Sequence, residues 1–270
     1  MSWVIFDAVE KVRSFGRRQE LMLAEAVATG NLVASEKLLR QGVDPNACVV
    51  GTNREPLVFL VYQKEWFTLP DGLFGDRAKT LYRITTRTDC LCMLLDYGVD
   101  VNVRDSLGRT LLEIAIVWCL PDIVKLLLVN GADPNFRDGG GLTPLMKAAR
   151  LGIRDARPME DKLRIVLYLL NRGAEIDARS TDGKTALMYG VGNSRIEVVE
   201  FLLCHGASSS IKDRHGRQAA DIISQSIGKI QQNHLRQILS QPRSNLAREK
   251  YQQLIPEGDR LLAPIIHRYY

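Results

Sequence analysis

Three short stretches carry chemistry by residue type and spacing. Gly183-Lys184-Thr185 is the closing part of a phosphate-binding loop, in which backbone N–H groups cradle phosphates and the lysine reaches the terminal ones. That loop also needs a glycine five residues earlier, and the position holds Ala178, so the tripeptide reads as a turn. Cys90 and Cys92 could present two thiolates, but one intervening residue is too short for a typical zinc knuckle. The histidines at 205, 215, 234 and 267 form no HExxH pair, and adjacent Cys204 and His205 point different ways around a helix. No carboxylate pair is set apart for acid and base work, and G-x-S-x-G is absent. The expectation is therefore a protein that is not an enzyme and holds neither cofactor nor metal.

The elements that would carry such residues follow from composition and pattern. With 46% hydrophobic and 25% charged residues, the chain has enough apolar surface for one large domain or two small ones. A net charge of +5 over 270 residues does not call for nucleic acid, and tilts the reading toward an acidic partner. Five scattered cysteines make no disulfide framework, which points to a reducing compartment and a cytoplasmic location. No apolar run approaches the roughly 18 residues of a membrane span. At the start, Asp7 and Glu10 interrupt the apolar stretch and the basic residues follow it, the wrong order for a secretory signal.

A repeated unit dominates the rest. "LLRQGVDPN" from Leu38, "LLDYGVDVN" from Leu94, "LLVNGADPN" from Leu127, "LLNRGAEID" from Leu169 and "LLCHGASSS" from Leu202 place glycines at 42, 98, 131, 173 and 206. Their intervals are 56, 33, 42 and 33 residues, and a second series at 108, 141, 183 and 216 repeats 33, 42 and 33. The leucines suit the buried stripe of a helix, and the glycine after them can adopt the left-handed conformation that ends it. Thr143-Pro144 then starts a new helix, since proline's fixed φ fits the first helical position.

A 33-residue period carrying G-A-D-x-N and G-x-T-P-L resembles the ankyrin repeat. The resemblance covers residues 20–240 and implies an all-α solenoid of paired antiparallel helices joined by hairpin loops. Six units begin near 20, 53, 105, 138, 180 and 213, the first without its hairpin. Leu111 stands where the family usually has proline, and "QAAD" and "SSS" degrade the last unit, as a capping repeat requires. Insertions near 65–88 and 153–161 both leave the edge opposite the hairpin tips, and insertions on one face often mark a binding face. Residues 1–19 form an N-terminal capping helix in this reading, with a membrane-surface role as its rival. The tail, 241–270, is either a peptide for a partner or a strap along the last helices.

The resemblance implies binding through the concave face, built from the inner helices and hairpin tips. Tyr62, Trp118 and Leu151 form a partly apolar ladder there, with Leu107 and Leu142 near the tips; exposed aromatics in a row are common interface anchors. Trp118 has a second reading, in which it packs against the neighbouring loop and fills a gap left by Cys119, at a position where the family has glycine. Trp66 and Phe74, inside the larger insertion, flank the ladder or fold back on the protein. Arg109, Arg137 and Lys184 represent a basic excess at the tips, which either is solvated or steers an acidic partner. The reading is an adaptor or regulator that binds another protein, monomeric in isolation. Nucleic acid and a membrane surface are its rivals.

Overall fold

The computed structural model describes residues 18–49, 55–62, 88–150, 159–223 and 228–240. The chain divides into two compact units, Met1–Leu111 and Leu112–Tyr270. The first contains helix α1 (Arg18–Ala28) packed on α2 (Leu32–Arg40). Gly30, at φ 71°, allows the reversal between them, and the Asn31 side chain caps α2 by accepting from the Ala34 N–H at 3.1 Å. A short antiparallel ladder of β1 (Cys48–Val49) and β2 (Glu55–Pro56) leads into the 3-10 helix η1 (Leu57–Tyr62), whose Leu57, Val58 and Phe59 are buried. Helix α3 follows over 88–96 and buries Cys90, Leu91 and Leu94.

In the second unit, helices alternate between two rows. The inner row holds α4 (Leu111–Val117), α6 (Pro144–Arg150), α8 (Ala186–Gly192) and the 3-10 helix η2 (Ala219–Ile222). The outer row holds α5 (Pro121–Val129), α7 (Met159–Asn171), α9 (Ile196–Cys204) and α10 (Lys229–Ser240). Along the inner row, α6 packs on α8 and α8 on η2; along the outer row, α5 packs on α7, α7 on α9 and α9 on α10. Among the described residues the helices follow one another in chain order as six successive pairs, α1/α2, η1/α3, α4/α5, α6/α7, α8/α9 and η2/α10, of which α1/α2, α6/α7, α8/α9 and η2/α10 pack directly.

The repeat residues fill the places their types suit. The first leucine of every "LL" pair is buried: Leu38, Leu94, Leu127, Leu169 and Leu202. Gly131 ends its helix at φ 90°, where a side chain would be strained. Thr143 and Thr185 cap α6 and α8, their Oγ1 atoms accepting from the Met146 and Met188 N–H groups. Gly183-Lys184-Thr185 is accordingly a hairpin exit followed by a helix cap. The expected insertions separate η1 from α3 and α6 from α7, and residues 63–87 and 151–158 lie outside the described set, as do 1–17 and 241–270.

Candidate interaction surface

Polar residues between the pairs are spent on joining them. Asn46 donates to the Gly98 carbonyl at 3.3 Å and accepts from the Asp100 N–H at 2.7 Å in the first unit. Asn135 repeats this in the second, donating to Gly173 at 2.9 Å and accepting from Glu175 at 2.8 Å. Asp177, at the same repeat position, accepts from the Ser208 N–H at 2.9 Å. The hairpins are tied as well. Thr181 donates its Oγ1–H and N–H to the Gly140 carbonyl, and the Arg214 N–H donates to Asp182. Arg137 Nη1 donates to the Arg179 carbonyl at 2.7 Å, and Arg179 Nη2 to that of Lys212 at 2.9 Å, one repeat further each time.

On the inner helices the open surface is confined to a few positions. Helices α4, α6 and α8 are only about two turns long, and each buries most of its residues. Helix α6 buries Pro144, Leu145, Met146, Ala148 and Ala149, leaving Lys147 half-buried and Arg150 exposed. Helix α8 buries Ala186, Leu187, Met188, Gly190 and Val191, leaving Tyr189 half-buried. In α4 the corresponding residues are Ile114, half-buried, and Val117, which is 54% exposed. Residues three apart share one helix face, so these positions form a continuous strip on each helix. The strip changes character along the inner row, from apolar at α4 to cationic at α6 and aromatic at α8.

The sequence-derived candidates distribute unevenly over this geometry. Trp118 is half-buried directly after α4, and Cys119 follows at φ 53°, a left-handed residue where Gly30 stands in the first pair. Leu107 is 73% exposed at a hairpin tip of the first unit. Arg109, on the same hairpin, is committed to Asp105 through Nε at 2.7 Å and Nη2 at 2.6 Å. Arg137 is exposed and lies 3.6 Å from Glu175. Leu142 is half-buried, and its N–H donates to Asp138. Lys184 Nζ rests 5.8 Å from the centre of the Tyr189 ring, a cation–π contact that joins a tip residue to the strip. Tyr62 closes η1, and its side chain lies outside the described residues together with Trp66, Phe74 and Leu151.

Sequence reading missed Ile114, Lys147 and Tyr189. Their signal was the step of three back from Val117, Arg150 and Gly192 on each inner helix. Lys147 also anchors the described charges of this face: Nζ pairs with buried Glu113 and lies 2.8 Å from Asp138. Burial alone would raise the Asp138 carboxyl, but hydrogen bonds from Lys147 and the Leu142 and Gly140 N–H groups outweigh it and hold the acid below its ordinary range. At Asp213 the same opposition, with Arg217 and the His215 N–H as donors, brings the value down to about 2. Both acids stay ionised, the reverse of what a general acid requires. Burial, with Asp89 and Asp96 nearby, pushes the Cys92 thiol up, away from the nucleophilic thiolate.

Among the described residues, no group of three or more His, Cys, Asp or Glu side chains could hold a metal ion. No described helix is long and apolar enough to cross a membrane.

Comparison with known proteins places the repeat in context. A family model described as ankyrin repeats (3 copies) matches residues 69–138 and 119–213. Neurogenic locus notch homolog protein 2 of Homo sapiens is 30% identical over 155 residues, covering 57% of this chain and 6% of that protein. An ankyrin repeat protein of Rickettsia bellii is 32% identical over 117 residues, 43% of this chain and 33% of its own length. One from Acanthamoeba polyphaga mimivirus is 29% identical over 168 residues, 56% of this chain and 23% of its own. The chain therefore spans a third or less of each of these relatives.

Proposed function

The chain belongs to the ankyrin-repeat family, whose members generally mediate protein–protein interaction without catalysis, and from that premise we propose that it is an adaptor or regulator holding one partner protein against its inner-helix face. A single observation carries the reading. Asn46, Asn135 and Asp177 are consumed between helix pairs, whereas Val117, Trp118, Arg150 and Tyr189 retain exposed surface on or beside the inner helices. Apolar area with an aromatic anchor and a charged border is the composition of an interface whose centre excludes water. Trp118 and Val117 supply the apolar centre, and the exposed Arg137 belongs to the rim. Arg109 shares its charge with Asp105, so its part is to hold the hairpin that presents Leu107. Tyr62, Trp66, Phe74 and Leu151 enter this proposal as further partner-binding candidates on sequence grounds alone.

The partner is a protein with an acidic surface, met in the cytoplasm. The scattered cysteines, five in number and marking no disulfide framework, fit a reducing compartment. The test is affinity capture from a lysate of the native cells, followed by reconstitution with the purified partner. Trp118→Ala that folds normally is expected to weaken the reconstituted complex by about 2 kcal/mol. Equal affinity for both forms would remove the inner-helix face from the account.

A further inference from the structure

Resting on the interaction reading above, we infer that the hairpins of the fifth and sixth helix pairs form an anion-recognising edge whose ligand is an acidic, extended segment of the partner protein. These hairpins, residues 179–184 and 212–217, hold Arg179, Lys184, Lys212, Arg214 and Arg217 against two carboxylates, Asp182 and Asp213. The two acids are not equivalent. Asp213 is buried and fully engaged, taking the Arg217 guanidinium at 2.9 Å and the His215 and Arg217 N–H groups, so it neutralises Arg217 alone. Asp182 is exposed.

The other cations keep their charge. Arg179 spends Nε on the Gly183 carbonyl at 3.3 Å and Nη2 on the Lys212 carbonyl at 2.9 Å, which orient the guanidinium without neutralising it. Lys184 is steadied over the Tyr189 ring, again without cancellation. Arg214 is exposed, and its backbone is fixed by the bond to the Asp182 carbonyl. Because the hairpins are tied to each other, these charges are held in place before any ligand arrives, which lowers the ordering cost of binding.

Some described cations elsewhere in the second unit are answered by acids, and the exposed Arg150 and Arg172 lie singly, at the end of α6 and after α7. Lys147 faces Glu113 and Asp138, Arg164 faces Asp122, and Arg137 lies near Glu175. Recognition of carboxylates therefore concentrates on the fifth and sixth hairpins, while the apolar anchor Val117 and Trp118 lies at the third pair. A segment with an apolar side chain at one end and carboxylates toward the other matches this order. Nucleic acid matches it poorly: Lys184 lies over the Tyr189 ring where a base would stack, and Asp182 interrupts the row that regular phosphates would follow.

The test uses the full chain and three labelled probes: a peptide of alternating Glu and Ser, its Gln-for-Glu counterpart, and a short oligothymidylate. The variant is Lys184→Glu/Arg214→Glu. Neither side chain makes a hydrogen bond to a described residue, and unchanged thermal unfolding verifies the fold. The Glu peptide is expected to bind better than the Gln peptide and the oligothymidylate, and to bind about tenfold or more weakly to the variant. Arg172→Glu, a single charge reversal on an exposed arginine after α7, should leave binding unchanged. Equal binding of the Glu and Gln peptides, an unaffected variant, or tighter oligothymidylate binding would each overturn the inference. With the native partner, loss in Trp118→Ala but retention in Lys184→Glu/Arg214→Glu would reject this edge and keep the interaction face. Retention in both would reject the face itself.

Discussion

The carboxamide of Asn135 donates to the Gly173 carbonyl at 2.9 Å, so one side chain joins the third helix pair to the fourth. Its oxygen also accepts from the Glu175 N–H. Asn135→Ala leaves both backbone groups without this partner and should cost about 2 kcal/mol in urea unfolding. Asn135→Asp should cost less, since the acceptor survives, as Asp177 shows toward Ser208. Alanine and wild type unfolding at the same urea concentration would mean that the bridge contributes nothing.

Two neighbouring glycines at one hairpin tip should respond in opposite ways. Gly141 has φ 69°, and a Cβ there would meet the Thr181 N at 2.9 Å, the atom that ties this tip to the next. Gly139 has open space and no such angle. Gly141→Ala should destabilise by about 2 kcal/mol or more, whereas Gly139→Ala should be neutral or stabilise by up to about 1 kcal/mol. Denaturation midpoints of the two variants decide it, and a tolerant Gly141 would contradict the tied-tip description.

Lys147 stands between two carboxylates, of which Glu113 is buried. Lys147→Met takes the cation away from both acids and should cost about 3 kcal/mol or more. Adding Glu113→Gln should restore part of that loss, because a neutral amide is far easier to bury than a carboxylate that has lost its cation. A double-mutant cycle measures the coupling. Additive losses would show that the pair does not interact.

Asp213 gives a pH signature. Its carboxyl is held at about 2 against an ordinary 3.8, so the folded state favours the ionised form. The resulting stability is fully present above the ordinary value and disappears as pH falls through the folded one. Asp213→Asn should therefore be less stable than wild type at neutral pH, with the gap closing between about 5 and 2. A gap independent of pH would assign the loss to packing. Asp138 should act in the same direction.

The helix pairing was legible because two glycine series and one leucine pair mark each turn of a short, rigid unit. The first leucine of each pair must be buried wherever the next helix stacks, as Leu127 and Leu169 are. The surface was less legible. A seven-residue inner helix shows too few turns for its open face to declare itself, so Trp118 was visible while Ile114, Lys147 and Tyr189 were not. Counting tip charges could not tell a committed arginine from an available one. Arg217 sits four residues after Asp213 and closes back on it, as Arg109 does on Asp105, whereas Arg179 points to a carbonyl in the next hairpin. That difference depends on how tightly each hairpin folds.

The most direct test of the inner-helix account is backbone hydrogen exchange of the chain alone and in complex with its purified partner. Added protection is expected over 112–118, 144–150 and 186–192 and in the hairpins at 179–184 and 212–217, with the outer helices Pro121–Val129, Met159–Asn171 and Ile196–Cys204 unchanged. Protection confined to the outer helices would contradict it.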